Sequence, residues 1–443
     1  MQERRQVGQT LGRSLARTSS RIASYDSTPT AWADIVPPAR DNMITPRHKI
    51  LFVTPGLRQG GAERQLLELI RRLPDRFEPV LCLFEAEEMH YRDFLPPGQP
   101  RHVVGSRRMG LSGLRRLAQI IEQEQPAILH SYRDRANLWT RVAMQLFGVR
   151  VPILITSVRN RGIDPLNLLT ESTFADFTDR VLSNSVGVRD ELRAWARVPE
   201  GKLQVIPNFV DFESFRPPRP GEREAARRRF EVSADHRVLV LSGRISMQKH
   251  QLGLLAALQI LRRSGRLPDH VRILLAGRER DRTYSRLVRS LIQRWGLEGQ
   301  VRLLGPISDV LAVYHAADAA ILPSLYEGMP NAVIEAQACG LPVLVSRAAN
   351  ADDLVRPGES GIEVPTANRR ALADGLGQLF RASDLELTTM GAKALASVSA
   401  TLDNDLLLES FTSLYDRLLT SRGLAATEVL ASVLVAREML SST

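Results

Sequence analysis

From His48 onward, short apolar runs alternate with longer stretches of helical period, and that alternation leaves few folds open to the chain. "KILFVT" (49–54) is the unbroken apolar run of a strand covered on both faces. "GAERQLLELIRRL" then sets Leu66, Leu67, Ile70 and Leu73 along one helical face. "PVLCLF", "HVV", "LSGLRRLAQIIEQ", "AILHS", "ANLWTRVAMQLF", "PILITS", "DRVLSNS" and "LQVIPN" carry the rhythm on. Such alternation predicts a parallel sheet with helices on both faces. The stretch "FVDFESFRPPRPGEREAARRRFEVSADHR" breaks the pattern with prolines and charge, and predicts an interdomain connection leading into a short helix. Alternation resumes at "VLVLSG" and runs to "PVLVS", and the pattern is helical from about residue 367 to the end. The predicted organisation is a tail over 1–47, doubly wound α/β domains over 48–212 and 213–400, and helices over 401–443 that pack back on the first domain. Two such halves enclose a cleft at their facing strand ends, where ligands of open α/β sheets bind.

Composition narrows the function classes. No apolar run approaches the 18 residues of a membrane span, and "LAATEVLASVLVA", which contains Glu428, predicts a packed helix. Two cysteines, Cys82 and Cys339, have neither metal-ligand spacing nor a disulfide framework, which predicts a reducing cytoplasm. The net charge of +10 raises nucleic-acid binding as one reading. Yet the chain has only four lysines, so the excess is arginine throughout and reads as a compositional bias. No basic ribbon interleaved with aromatics accompanies it, and no nucleic-acid partner is expected. The opening "MQERRQVGQTLGRSLARTSSRIAS" has the composition of a mitochondrial transit peptide, with a disordered basic tail or a misassigned start as the plainer readings.

Three stretches carry candidate chemistry. "EGMPNAVIE" places Glu327 before a helix start at Pro330 or Asn331 and Glu335 about one turn inside it. Gly328 allows a close backbone approach, and the free N–H groups of the first turn favour an anion, so the stretch reads as a phosphate seat flanked by carboxylates. In "VLVLSGRISMQKH" a strand ends at Ser242, Gly243 turns the chain, and Arg244 and Lys249 follow as two cations suited to a diphosphate. In "TPGLRQGGAERQ", Gly60 and Gly61 open a helix in a loop that is neither G-x-G-x-x-G nor a Walker A motif. Taken singly, each has a plain alternative as a solvated loop or turn.

Together, in this order, the three resemble the retaining glycosyltransferases of the GT-B fold, marked by two glutamates separated by seven residues. "VIPNFVDFESFRP" and "GLEGQVRLLGPISDVLAVYHAADAAILPS" resemble that family's entry into its second domain and its approach to the glutamate motif. The resemblance spans about 49–420 and implies two Rossmann-like domains facing across a cleft, the first on the acceptor side and the second holding a nucleotide sugar. By it, Arg244 and Lys249 hold the donor diphosphate and Glu327 faces the donor-sugar hydroxyls, as the catalytic residues. Glu335 accepts from the ribose, the backbone of Asn331 and Ala332 receives phosphate oxygens, and Gly60, Gly61, Gly243 and Gly328 shape the donor seat. Backbone near Gly277, Arg278 and Ile307 lies around the base. No cofactor or metal is implied, since the nucleotide sugar is a substrate. Asp403-Asn404-Asp405, the one Asp-x-Asp, reads as a helix cap.

The chain also departs from that pattern. Arg159 and Asn160 stand in "ILITSVRN" near the place of a common family histidine, His130 in "AILHS" is an alternative polar group, and Phe209 replaces a usual glycine. His130, Arg159 and Asn160 are therefore the acceptor-side candidates, with a satisfied strand-end histidine as the plainer reading of His130. "RRMGLSGLRRLAQII" sets arginines opposite Leu111, Leu114, Leu117 and Ile121, so peripheral contact with the anionic inner face of a membrane is an expectation beside that of a solvated helix face. The expected activity is metal-independent transfer of a hexose or N-acetylhexosamine, with retention, from a UDP-sugar to a glycan or polyprenyl-linked acceptor in cell-envelope polysaccharide synthesis. A sugar-nucleotide epimerase of the same fold and a non-catalytic sugar-nucleotide or glycan binder are the alternatives.

Overall fold

A computed structural model describes residues 47–424, apart from Gln59, 86–93, 107–108 and 162–164. The basic opening segment, the apolar stretch after Leu424, and Arg107 and Arg108 lie outside the described residues. The first alternation gives β1 (His48–Thr54), α1 (Gly61–Arg72), β2 (Phe77–Leu83), β3 (Arg101–Val103), α2 (Leu111–Glu124), β4 (Ile128–Tyr132) and α3 (Asp134–Phe147). It continues with β5 (Ile153–Val158), α4 (Pro165–Thr173), β6 (Arg180–Ser183), α5 (Val186–Ala194) and β7 (Leu203–Val205). The proline-rich connection leads into α6 (Glu222–Arg229). The second alternation gives β8 (Arg237–Ser242), α7 (Gln251–Arg263), β9 (Val271–Ala276), α8 (Arg282–Arg294), β10 (Val301–Gly305) and α9 (Val310–Ala316). After β11 (Ala319–Leu322), α10 (Asn331–Ala338), β12 (Val343–Ser346) and β13 (Gly361–Val364) come three helices, α11 (Arg369–Arg381), α12 (Asp384–Thr401) and α13 (Asn404–Ser421).

The strands form two wholly parallel sheets, ordered β3-β2-β1-β4-β5-β6-β7 and β10-β9-β8-β11-β12-β13. In each, the winding direction reverses once, between β1 and β4 and between β8 and β11. The carboxyl ends beside these reversals are the places such sheets leave open for ligands. Helices cover both faces, which is why Ile50, Leu51, Phe52 and Val53 are all fully buried although they alternate between faces. On α2, Leu114, Leu117 and Ile121 are buried as expected, but Leu111 is 64% exposed. It is the first residue of the helix, so its side chain projects back past the helix end instead of down onto the sheet.

The chain crosses between the halves twice. On the return crossing, α13 lays Leu407, Phe411, Tyr415 and Leu418 into the core of the first sheet with Phe52, Leu66 and Ile155. Asp403 caps α13, its carboxylate accepting from the N–H groups of Asp405 and Leu406. Asn404 pins the two crossings together: its Oδ1 accepts from the Val210 amide at 2.9 Å and its Nδ2 donates to the Val210 carbonyl. Phe209, beside Val210, stacks on Phe411 with centroids 5.8 Å apart. Phe411→Ala is expected to cost about 3–5 kcal/mol by the lost burial and the cavity left behind, measured as a lower urea midpoint. An unchanged midpoint would mean that α13 does not hold the first half together.

Candidate active site

The second half's share of the site starts where β8 ends. Gly243 has φ 154° and Gly277, at the end of β9, φ 153°. A Cβ on Gly277 would lie 2.1 Å from the Gly243 carbonyl oxygen, so the two strand ends come together only as glycines. The chain then turns through Met247–Lys249, and Lys249 Nζ donates to Glu327 Oε1 at 2.7 Å. Gln248 ties this corner together. Its Nε2 donates to the Tyr326 carbonyl at 3.0 Å, to Glu327 Oε2 at 3.4 Å and across the cleft to Asn160 Oδ1 at 3.3 Å. Its Oε1 accepts from Arg244 Nη2 at 3.2 Å. Burial pulls the Arg244 guanidinium below the ordinary arginine value, and the charges of Arg280 and Arg133 pull the same way.

The glutamate motif follows β11. Pro330 is the N-cap of α10, where a missing N–H costs nothing. A Cβ on Gly328 would lie 2.5 Å from the Arg159 carbonyl oxygen and 2.7 Å from Asn184 Oδ1, so the loop packs there against the first half. Asn331 joins the halves at the helix start. Its Nδ2 donates to the Gly61 carbonyl at 3.3 Å, and its Oδ1 accepts from Asn208 at 2.6 Å and Gln65 at 3.4 Å. One turn on, Glu335 Oε1 accepts from Arg64 at 3.1 Å and Oε2 from the Tyr314 hydroxyl at 3.0 Å. Burial raises the Glu335 carboxyl above the ordinary glutamate value, against the pull of Arg64 and Tyr314. A carboxylate accepts about four hydrogen bonds, so both oxygens retain capacity for a ligand hydroxyl.

These groups line a single cleft of about 1620 Å³ between the halves. It brings together Arg244, Lys249, Glu327 and Glu335 with Gly60, Gly61, Gly243, Asn331 and Ala332, and also Ile307, Gly277 and Arg278. Arg159 and Asn160 line it from the first half. Two candidates stand apart. Gly328 is absent from the wall because it is packed behind it. His130 is fully buried, with Nδ1 2.8 Å from the Tyr415 hydroxyl and Nε2 2.9 Å from Ser157 Oγ. Burial and the charge of Arg159 hold its ring well below the ordinary histidine value. It is a satisfied core histidine, and the acceptor-side expectation for it is corrected.

Sequence reasoning missed Arg64, Gln65, Gln248, Asn208 and Tyr314. Arg64 and Gln65 follow directly on Gly60–Gly61 and Gln248 precedes Lys249, but only the meeting of the halves shows what they face. Among the described residues, eleven arginines and lysines and eight acids line the cleft, a cationic excess suited to an anionic ligand. No group of three or more His, Cys, Asp or Glu among them is placed to hold a metal ion. No helix among them is long and apolar enough to cross a membrane.

Two facing parallel-sheet units with a cation-rich cleft between them make a GT-B architecture. Residues 59–214 match the family model described as Glycosyltransferase Family 4, and residues 236–382 the one described as Glycosyl transferases group 1. The chain belongs to the GT-B glycosyltransferases. The D-inositol 3-phosphate glycosyltransferase of Mycobacterium leprae is 33% identical over 224 residues, 49% of this chain and 50% of the relative. This chain thus spans about half the length of the mycobacterial relatives it matches. The UDP-Gal:alpha-D-GlcNAc-diphosphoundecaprenol alpha-1,3-galactosyltransferase of Escherichia coli is 25% identical over 309 residues, 67% of this chain and 78% of that one. HepE of Anabaena, solved with UDP and glucose, superposes with a TM-score of 0.72 at 21% identity, covering 83% of this chain and 99% of its own.

The raised Glu335 carboxyl fixes the sign of one pH effect. Above the ordinary value of 4.5, the folded chain keeps a proton on this group that the unfolded chain has released. Stability from this group is therefore lost as pH rises from about 4.5 through the raised value. Urea titrations from roughly pH 4.5 to 7 should show Glu335→Gln gaining on the wild type as pH rises. A pH-independent difference would contradict the burial argument.

Proposed function

We propose that this chain transfers a hexose or N-acetylhexosamine from a UDP-sugar to a hydroxyl of a glycan or polyprenyl-linked acceptor, with retention of configuration. The observation that carries the reading is the meeting of Glu327 and Glu335, either side of the α10 N-terminus, with Arg244 and Lys249 in one interdomain cleft. The Escherichia coli relative, named for a UDP-Gal donor and a diphosphoundecaprenol acceptor, and HepE, solved with UDP and glucose, support the choice of UDP and of a sugar acceptor.

In this reading, the diphosphate lies against Arg244, Lys249 and the first-turn N–H groups of α10, which complement its charge. Glu335 accepts from the ribose hydroxyls with its free lone pairs. Glu327, held by Lys249 and Gln248, receives hydroxyls of the donor sugar. As the bond from the anomeric carbon to phosphate breaks, its electron pair goes to the leaving diphosphate. Arg244 and Lys249 stabilise that growing charge where they already stand. The acceptor hydroxyl attacks from the leaving-group face and gives its proton to the diphosphate. No carboxylate nucleophile is needed, unlike in glycosidases that work through a close carboxyl pair.

Purified protein at 100 times the Kd of its nucleotide should gain about 2.7 kcal/mol of stability. A thermal-shift panel of UDP, GDP and ADP reads this, with UDP expected to respond and Glu335→Ala to respond less. If no nucleotide shifts the wild type, the reading fails. Arg244→Ala and Lys249→Ala should each lower the rate of donor-sugar release from UDP-sugar by about 10²–10³, with smaller changes in UDP affinity. Rates within twofold of wild type would remove these residues from the chemistry.

A further inference from the structure

Arg159 is the cleft arginine of the first half whose buried side-chain N–H groups find no hydrogen-bond partner. It follows β5 directly, is 9% exposed and lines the cleft. Its Nε and Nη1 are buried with no hydrogen-bond partner. Its neighbours on the same wall are paired: Arg64 with Glu335 and Asp211, Arg133 with Glu63, and Arg161 with Glu191. No ion pair holds Arg159 among the described residues. Its guanidinium carbon lies instead 5.7 Å from the centroid of the Tyr132 ring. An arginine cannot shed its charge as a buried lysine can, and a desolvated charge without a counter-charge is costly and rare.

The backbone of the same residue is anchored at the Glu327 end of the cleft, and from there its guanidinium runs back along the wall to the Tyr132 ring. The Arg159 carbonyl accepts from Asn184 Nδ2 at 3.3 Å and meets the Gly328 backbone face. The next residue, Asn160, reaches Gln248, which also holds Glu327. Arg159 therefore enters the cleft wall at the Glu327 end, opposite the β8 loop that carries Arg244 and Lys249, with its guanidinium on the Tyr132 side of that wall. A neutral sugar hydroxyl would fill a hydrogen-bond site there but leave the charge uncompensated. A planar oxyanion would answer both needs, because the guanidinium fork matches a carboxylate or phosphate two bonds at a time.

We propose that Arg159 is a specificity-determining residue that binds an oxyanion, a carboxylate or a phosphate ester, carried by one of the two sugar substrates. The inference rests on the nucleotide-sugar reading of the cleft and goes beyond it by naming the charge of a substrate.

Calorimetry with two arms tests it. In the donor arm, UDP-glucuronate is compared with UDP-glucose. In the acceptor arm, protein saturated with UDP is titrated with glucose 6-phosphate and with glucose. The wild type should prefer the anionic probe by about tenfold or more in one arm, and the arm that responds names the carrier. Arg159→Gln should erase that preference while changing UDP affinity less than about threefold, and Arg159→Lys should keep part of it. Retained UDP binding verifies the fold of each variant, and if Arg159→Gln does not fold, the wild type against Arg159→Lys decides. The proposal is overturned if the wild type shows no anion preference in either arm, if the preference survives Arg159→Gln, or if Arg159→Gln weakens bare UDP as much as it weakens the anionic probe. UDP binding without anion preference overturns this inference alone. Absence of UDP binding to the wild type overturns the nucleotide-sugar reading together with it.

Discussion

The junction at the start of α10 is the constraint on which the site depends. Asn331 joins Gly61, Gln65 and Asn208 of the first half to the first turn of a helix of the second. One turn later, Arg64 reaches Glu335 across the same gap. These contacts between the halves are made by residues that line the cleft; outside it, the Val186 N–H donates to the Asp352 carboxylate across the same gap. The Gly328 contact on Arg159 adds a steric stop, because any side chain there would push the halves apart.

That arrangement sets the electrostatics. Carboxylates in the cleft are neutralised in pairs, Lys249 with Glu327 and Arg64 with Glu335, so neither acid repels an incoming diphosphate at full strength. Each partner keeps spare capacity, since an ammonium has three donors and a carboxylate about four acceptor sites. A ligand can therefore add bonds to these groups without first breaking the pairs. In the proposed transfer this is preorganisation, since the donors would already stand where charge develops on the leaving group.

The fold was legible because both sheets are parallel and covered on both faces, which writes nearly every strand as an apolar run and every helix as a periodic one. Glu327, Glu335, Arg244 and Lys249 were legible because each lies at a fixed offset from a strand end. Gln248, Arg64 and Asn208 were not. Arg64 and Asn208 meet partners on the opposite half, 271 residues away in sequence in the case of Arg64 and Glu335, and Gln248 joins the distant Tyr326 and Glu327 of its own half to Asn160 across the cleft; no local pattern encodes that. His130 stood among the acceptor-side candidates for a related reason, and its plainer reading as a satisfied histidine is the one the structure bears out. A histidine at a strand terminus suggests an open cleft, but α13 returns from the far end of the chain and covers it with Tyr415. Leu111 misled at the smallest scale, as an apolar residue in register with a buried face but one helix end too early.

A crystal structure of the protein with bound UDP tests the central claim most directly. The account predicts phosphate oxygens on Arg244, Lys249 and the first-turn N–H groups of α10, with the ribose hydroxyls on Glu335 while Arg64 still touches that carboxylate. A nucleotide seated elsewhere, or seated in the cleft with Glu335 out of reach of the ribose, would contradict it.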